Sequence, residues 1–273
     1  MDKPATLPAV RSSRRGWLRF SLRTTIIAVT VLSVLLGTIC NRAKRQRRAV
    51  EEIRAAGGDV AYDYQFDSTG VVSNRGASLP GPQWLIGLVG VDYFATVEYA
   101  DINVVKGHDD AAAILGQLPH LRLVCLSGNA VTDSTVGHLR HLTDLRGLTI
   151  WNASDNLTDA GWAPLEQFAR LDMLTLTGPH VNDSTLSHVK SLTDLRTLQL
   201  IRTDITDAGL ENLDRLVKLE FVTLQGRHVT DACVQHFKRL RRLAYLDLRE
   251  SSLTESGIEE LKRSFPNSEI HGP

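Results

Sequence analysis

The stretch "LRTLQLIRTDITDAGLENLDRL" (195–216) decides the fold, because the chain repeats its pattern. Six units begin at Leu121, Leu145, Leu171, Leu195, Leu219 and Leu243, spaced 24, 26, 24, 24 and 24 residues apart. Counted from each first leucine, apolar residues recur at offsets +3, +5, +10, +15, +18 and +21, once a two-residue insertion after Ile150 is allowed for. Ser264 is the one polar residue in these columns. A fixed period of this length indicates a repeat architecture.

The spacing within each unit predicts a short strand followed by a helix. Offsets +3 and +5 alternate as in a strand, and offsets +15, +18 and +21 share one helical face. A single unit of this size cannot bury its own apolar face, so the units must stack. We therefore predict an α/β solenoid over residues 121–273, with a concave parallel sheet and convex helices, closed by "SFPNSEI" (264–270).

The segment 59–120 before the repeats is predicted to be a cap. "DVAYDYQF" (59–66) alternates like a strand, "PQWLIGLVGVDYF" (82–94) is typical of a helix, and "TVEYADI" (96–102) of a first edge strand. The repeat's columns continue through a degenerate opening unit, at Val97, Ala100, Ile102, Leu115 and Leu118. Solenoids need such atypical ends to cover the terminal core.

The N-terminal part contains an apolar run, "TTIIAVTVLSVLLGTICN" (24–41), without a single charge. As a helix it reaches ~27 Å, close to the hydrocarbon thickness of a bilayer. We predict a single-pass transmembrane helix over 24–41, between a basic tail (1–23) and a basic juxtamembrane helix (42–58). A buried core helix and a cleaved signal peptide are the alternatives; basic residues at both ends and the absence of an A-x-A-like site favour a retained anchor.

Basic residues flank this run on both sides. Those expected to reach anionic headgroups are Arg19, Arg23, Arg42, Lys44, Arg45, Arg47 and Arg48. The five basic residues nearest each end balance one another, so the positive-inside rule does not decide on which side of the membrane the repeats lie.

The net charge of zero conceals a division along the chain. Residues 1–48 contain eleven Lys and Arg against Asp2 alone, a net charge of +10, so residues 49–273 have a net charge of −10. Phosphate contacts supply most of the affinity of nucleic-acid-binding proteins. An acidic repeat domain therefore makes nucleic acid an unsuitable partner.

The stretch 195–216 resembles a leucine-rich repeat of the "TDxGL" type, known from bacterial repeat proteins and from eukaryotic F-box repeat proteins. The resemblance covers residues 97–273, and "RFSLRT" (19–24) before the apolar run resembles membrane-anchored bacterial members of the group. It implies a horseshoe that binds other macromolecules, without shared catalytic residues. The expected function is a membrane-anchored, non-catalytic scaffold for an unidentified protein partner; a substrate-binding adaptor of the F-box-like kind in ubiquitin ligation and a structural envelope component are the alternatives.

The aspartates of "TDITDAGL" are interpreted as structural. Offset +11 is occupied by Thr132, Thr158, Asn182, Thr206, Thr230 and Thr254, all good N-cap residues. A carboxylate follows in every unit at offset +12, where it meets the positive end of a helix dipole; Asp207 is the example in 195–216. No P-loop, CxxC or HExxH is present, so neither a metal nor a cofactor is expected.

A protein-binding site is predicted on the concave sheet, where side chains at offsets +2, +4 and +6 point away from the core. The candidate residues are Trp151, Met173, Gln199, Ile201, Phe221, Tyr245, Asp247 and Arg249. Exposed aromatic residues with few charges suit a protein partner. The alternative is that these side chains only pack against each other. The insertion in "WNASDN" (151–156) is a second candidate for a functional loop.

Overall fold

The computed structural model describes residues 22–66, 72, 78–103, 110–128, 131–152 and 157–273. Arg19, the tail up to residue 21 and most of the "WNASDN" insertion lie outside these residues. The chain forms two compact units, divided between Arg42 and Ala43.

The described residues contain one sheet of nine strands in chain order. They are β1 (Asp59–Tyr62), β2 (Val97–Asn103), β3 (Leu123–Ser127), β4 (Gly147–Ile150), β5 (Met173–Thr177), β6 (Thr197–Ile201), β7 (Phe221–Gln225), β8 (Tyr245–Asp247) and β9 (Glu269–His271). From β2 to β9 every pair is parallel, and Leu198, for example, is level with Leu174 and Val222. This sequential order is that of a solenoid in which each unit adds one strand.

The first strand departs from the expected parallel sheet. β1 pairs antiparallel with β2, so the sheet is mixed and β1, not the "TVEYADI" strand, forms its edge. The N-terminal cap thus adds an antiparallel edge strand, which residues 63–96 connect to β2.

Short helices within the repeat units cover the other face of the sheet. The α-helices are α1 (Leu22–Ala55), α2 (Gln83–Val89), α3 (Asp110–Leu115), α4 (Asp133–Gly137), α5 (Asp183–Val189), α6 (Val234–Phe237) and α7 (Glu255–Ser264). The 3₁₀ helices are Asp63–Gln65, Val91–Tyr93, His138–His141, Asp159–Gln167, Gly209–Leu213 and Asp231–Cys233. The prediction of one α-helix per unit is therefore wrong for the second and fourth units, which have 3₁₀ helices. A 3₁₀ helix spans the same length with fewer residues, which suits the short return between strands.

The apolar columns form one continuous core. All seven column positions are buried in each of the first five units, and in the sixth unit Ile258 and Ser264 are the exceptions. The degenerate unit is buried in the same way, at Val97, Ala100, Ile102, Leu115 and Leu118. The period seen in the sequence is thus the period of burial.

Helix α1 contributes to both units of the chain. An 18-residue window within it has a mean hydropathy of 1.9, and none of that window is buried. Its last part belongs to the repeat unit, where it buries Ala43, Gln46, Ala49, Val50 and Ile53. The stretch expected as a juxtamembrane helix therefore also closes the end of the repeat core.

A hydrogen-bond ladder joins successive units at the start of the helical segments. The Asp183 carboxylate accepts a bond from the Thr206 backbone N–H (2.8 Å) and another from the Thr206 hydroxyl (2.7 Å). The same double contact joins Asp133 to Thr158, Asp207 to Thr230 and Asp231 to Thr254. Each of these carboxylates stabilises the stacking of one unit on the next.

This ladder corrects the interpretation of Asp207. Its carboxylate was expected to stabilise the helix of its own unit, whereas its hydrogen bonds are to Thr230 in the following unit. The threonines do act as caps: Thr206 Oγ1 accepts a bond from the Ala208 N–H at 3.2 Å. The described residues have no such double contact between Asp159 and Asn182, because the Asn182 side chain caps α5 instead.

The glycine of "TDxGL" is explained by the same ladder. A Cβ atom on Gly161, Gly209 or Gly257 would lie 2.1, 2.1 or 2.2 Å from the carboxylate oxygen of Asp133, Asp183 or Asp231 in the preceding unit. Each glycine therefore leaves the space in which the carboxylate reaches its threonine.

We predict that Gly209→Ala costs about 1–3 kcal/mol of unfolding free energy, as expected for overpacking. The matched control is Gly137→Ala, because a Cβ there meets nothing within 4 Å and the residue ends a helix. That variant is expected to be neutral or slightly stabilising. Both are measured by urea unfolding followed by circular dichroism.

The assignment of the clash to Asp183 has its own check. In an Asp183→Ala background the cost of Gly209→Ala should fall below about 0.5 kcal/mol, since neighbouring residues couple. An unchanged cost in that background would mean that the glycine is required for another reason.

Candidate functional site

The candidate site is the open face of the sheet, the side away from the helices that was predicted to be concave. Along β6 and β7 the even-numbered residues are buried and the odd-numbered ones are partly or fully exposed. Because successive side chains of a strand point to opposite faces, burial of the apolar columns fixes the open face at offsets +2, +4 and +6.

Six of the eight predicted site residues meet in one groove near the C-terminal end of the sheet. The groove encloses about 650 Å³, and its lining residues are Thr197, Gln199, Ile201, Phe221, Thr223, Gln225, Tyr245, Asp247 and Arg249. Three adjacent strands and the residues just after β8 supply them. Trp151 and Met173 lie elsewhere on the face.

Aromatic rings form a row along one wall of this groove. Phe221 is 48% exposed, and its ring centroid lies 6.5 Å from that of Tyr245, with the planes tilted by 33°. Tyr245 in turn lies 5.5 Å from the His271 ring. Rings at these separations favour tilted contacts, and the Phe221 side chain at the end of the row stays half exposed.

Asp247 lines the groove as a predicted site residue, but its side chain is engaged within the chain. It is only 2% exposed. Its carboxylate accepts bonds from Arg249 Nε (2.9 Å), Arg249 Nη2 (2.7 Å) and the Arg249 backbone N–H (3.0 Å). These hydrogen bonds hold the pKa of Asp247 below its usual value. The two charges neutralise each other, so the groove has an almost neutral floor.

The sequence reasoning missed His271 and Glu269, which lie beside the groove on the strand next to Tyr245 and Asp247. They lie on β9, which continues the sheet beyond the sixth unit, and His271 Nε2 is 2.8 Å from Glu269 Oε1. The signal was available: Ile270 follows Leu246 by 24 residues, so one apolar column continues. Asn267 occupies the position where a unit would have its first leucine, and this conceals the continuation of the repeat.

The middle of the open face is closed by its own side chains. Thr175 and Thr177 are each 4% exposed. Thr175 Oγ1 donates to Gln199 Oε1 at 3.1 Å, and Thr177 Oγ1 accepts from the Asn152 N–H at 2.7 Å. Met173 leans over Gly147, where an added Cβ would lie 2.9 Å from its terminal methyl carbon. This central part of the face therefore fits the alternative in which the side chains of the open face only pack against each other.

Trp151 forms a second open area, at the N-terminal end of the repeats. Trp151 is 42% exposed. It lies three strands from Phe221, which is ~14 Å at the usual strand spacing. A ligand contacting both residues would therefore have to span the closed middle of the face.

Cys125, beside Trp151, is the thiol of this area. Burial, followed by the nearby Asp101 charge, raises its pKa to about 12, and the pKa of Asp101 is itself raised by burial. Since the thiolate is the nucleophilic form, a thiol that stays protonated is unsuited to covalent catalysis. Cys233 is also buried, with its pKa raised to about 12.

Within the described ranges, no group of three or more His, Cys, Asp or Glu side chains has the arrangement of a metal site. Four of the five recurring aspartates, Asp133, Asp183, Asp207 and Asp231, are occupied by the threonine contacts of the ladder. The chemistry that the open face offers is therefore contact and hydrogen bonding by aromatic, amide and hydroxyl groups.

Comparison with solved structures finds two internalins to which the chain is similar. The chain is similar to an internalin (inlC2) from Listeria monocytogenes, with 17% identity and a TM-score of 0.43, over 66% of this chain and 70% of that one. It is also similar to an internalin (inlF) from the same organism, with 16% identity and a TM-score of 0.40, over 63% of this chain and 66% of that one, just under two thirds. No protein-family model and no curated protein matches the chain. At such low identities and TM-scores, nothing about these proteins' binding is carried over to this chain.

We predict that Asp247→Asn lowers the unfolding free energy at pH 7 by about 1.5 kcal/mol, the value of a charge-assisted hydrogen bond. The pKa of Asp247 is depressed in the folded state, so its contribution is complete above the unfolded pKa and is lost as the pH falls through the folded one. The difference between wild type and variant should therefore shrink below about pH 4.

Urea unfolding at pH 7 and pH 3 measures this difference. Asp159→Asn is the control, because Asp159 is exposed and its carboxylate makes no hydrogen bond within the described residues. A gap for Asp247→Asn that is the same at both pH values would contradict the ion-pair account.

Proposed function

We propose that this chain is a membrane-anchored, non-catalytic scaffold that holds a protein partner in the groove of its open face. The partner is an extended segment lying across β6, β7 and β8, where Gln199, Ile201, Phe221, Tyr245 and Arg249 line the groove. The observation that carries this proposal is the open row of Phe221 and Tyr245 beside a neutral floor.

The composition of the groove supports a protein partner. Protein interfaces are enriched in aromatic residues and arginine, and their centres are depleted in charged residues. The groove offers aromatic rings, threonine hydroxyls and glutamine amides, and its one carboxylate is paired with Arg249. Nucleic acid requires unpaired positive charge for phosphate contacts, which a neutral groove in an acidic domain does not provide.

The membrane location is supported by α1. Its apolar window is long enough to cross a bilayer, and large side chains such as Ile27, Leu32 and Leu36 are 52–62% exposed. A core helix would bury these side chains, so lipid is the environment that accounts for them. The retained anchor, of the kind found in membrane-anchored bacterial leucine-rich-repeat proteins, belongs to this proposal.

The binding proposal predicts the outcome of site-specific photocrosslinking in the cell that makes the protein. A benzophenone amino acid at position 221 should give a discrete crosslinked product, because it lies in the groove. The same probe at position 217 should not, since Val217 is 54% exposed but lies outside the open face. Equal products from the two positions would contradict a site in the groove.

Once the partner has been captured by crosslinking, its affinity for variants of the groove provides a second measurement. Phe221→Ala combined with Tyr245→Ala should weaken binding at least tenfold, as truncation of aromatic anchors does. Val217→Ala should leave affinity unchanged, and circular dichroism checks that each variant is folded. Trp151→Ala lowers affinity only if the partner also crosses the closed middle of the face.

The anchor proposal predicts that the full chain stays in the membrane pellet after a carbonate wash. Val31→Asp combined with Leu35→Asp should move the protein out of the pellet, because two carboxylates within the span are costly in hydrocarbon. Val217→Asp, an equally exposed apolar position in the repeats, should leave the distribution unchanged. Full-length wild-type protein in the washed soluble fraction would contradict the anchor.

A further inference from the structure

The cap of the repeat unit presents a short apolar helix to solvent. Helix α2 has the sequence QWLIGLV and buries none of its residues. Trp84 is 73% exposed and Leu88 is 75% exposed, and they lie four residues apart on one face; Leu79, just before the helix, is 41% exposed. Burial among the described residues does not account for this apolar surface.

The helix is held firmly at its C-terminal end. Gly90 ends it, and two residues later the Asp92 carboxylate accepts bonds from Gln46 Nε2 (3.0 Å) and the Tyr62 hydroxyl (3.1 Å). Gln46 is 5% exposed and also donates to the Ala95 carbonyl at 2.9 Å. Trp84 and Leu88 are therefore displayed on a fixed support beside the last part of α1.

The same support has a strongly basic surface. The part of α1 in the repeat unit buries one side, and its other sides expose Lys44, Arg45, Arg47 and Arg48. Arg47 Nε donates to Glu51 Oε1 at 2.9 Å, and this contact is the main reason that the pKa of Arg47 is raised; the charges of Asp92 and Tyr93, which follow α2, raise it further. Residues 49–273 have a net charge of −10, so an anionic surface would repel the repeats and attract only this end.

We propose that α2 inserts Trp84 and Leu88 into the headgroup region of an anionic bilayer, with Lys44, Arg45 and Arg48 contacting lipid phosphates. An amphipathic tryptophan beside leucine is typical of the membrane interface, and nearby lysine and arginine are attracted to anionic lipid. A single protruding helix with basic neighbours differs from the neutral groove assigned to the protein partner. This inference rests on the proposed membrane location and adds a second lipid contact made by the repeat unit itself.

Quenching of tryptophan fluorescence by brominated lipid tests the insertion. The full chain is reconstituted in vesicles of phosphatidylcholine and phosphatidylserine, with brominated or ordinary phosphatidylcholine. Trp84→Phe keeps the helix apolar but removes the reporter, so the quenched fraction should fall. Trp151→Phe removes an exposed tryptophan of the open face and should leave the quenched amount unchanged. Equal quenching in wild type and in Trp84→Phe would overturn the proposal.

Two further measurements distinguish the reasons for which quenching of Trp84 could be absent. The carbonate wash on the same vesicles reports the anchor independently, so an anchored chain with unquenched Trp84 contradicts only the α2 contact. Shielding of Trp84 from iodide that grows with protein concentration in detergent would assign α2 to a second copy of the chain and overturn the lipid assignment.

The basic residues have a separate readout. Lys44→Glu combined with Arg48→Glu should reduce the Trp84 quenching severalfold, as should vesicles without phosphatidylserine. Val217→Glu is the control for added negative charge and should not change it. Identical quenching with and without phosphatidylserine would remove the basic residues from the proposal.

Discussion

Burial of one unit's apolar face by its neighbours is the constraint on which the rest of this structure depends. A strand and a short helix of about 24 residues have one apolar side and no core of their own. Stacking turns the leucine columns into a continuous core, in which Leu174, Leu198 and Val222 stand level on adjacent strands. Because the strands of successive units pair in the same register, a side-chain contact that stabilises stacking at one unit boundary can recur at the next boundary.

The carboxylate ladder uses that equal register. Asp183 reaches Thr206 with two hydrogen bonds across the unit boundary, and Gly209 leaves room for it. The threonine, aspartate and glycine of "TDxGL" thus act together across the boundary between two units. The threonine caps its own segment and also donates hydrogen bonds to the aspartate of the preceding unit. Asn182 breaks the series because an amide that accepts two N–H bonds of α5 no longer offers a hydroxyl to Asp159.

The same constraint fixes where binding is proposed. Once the even-numbered residues of β6 and β7 are buried, Phe221 and Gln199 must project from the opposite face. Charge does not interfere there, because Asp247 and Arg249 satisfy each other. At the N-terminal end the core needs a cover, and the buried residues of α1 supply it while its exposed sides stay basic. Capping and proposed lipid contact therefore use different sides of one helix.

The sequence by itself determined the solenoid, its column residues, the apolar span and the capping threonines, because burial and caps follow from periods within a single unit. It also placed Phe221 and Tyr245 side by side, since equivalent offsets in adjacent units are neighbours in a parallel sheet. Only the tertiary structure decided the partner of Asp207, the burial of Asp247 and the contribution of His271. The partner of Asp207 depends on which groups come within hydrogen-bonding distance after the units stack. The burial of Asp247 depends on the conformation of a single arginine. The ring contact of His271 depends on a last strand whose first column residue is polar. The docking of the end of α1 on the core depends likewise on the shape of the exposed first unit, which the helical period alone does not specify.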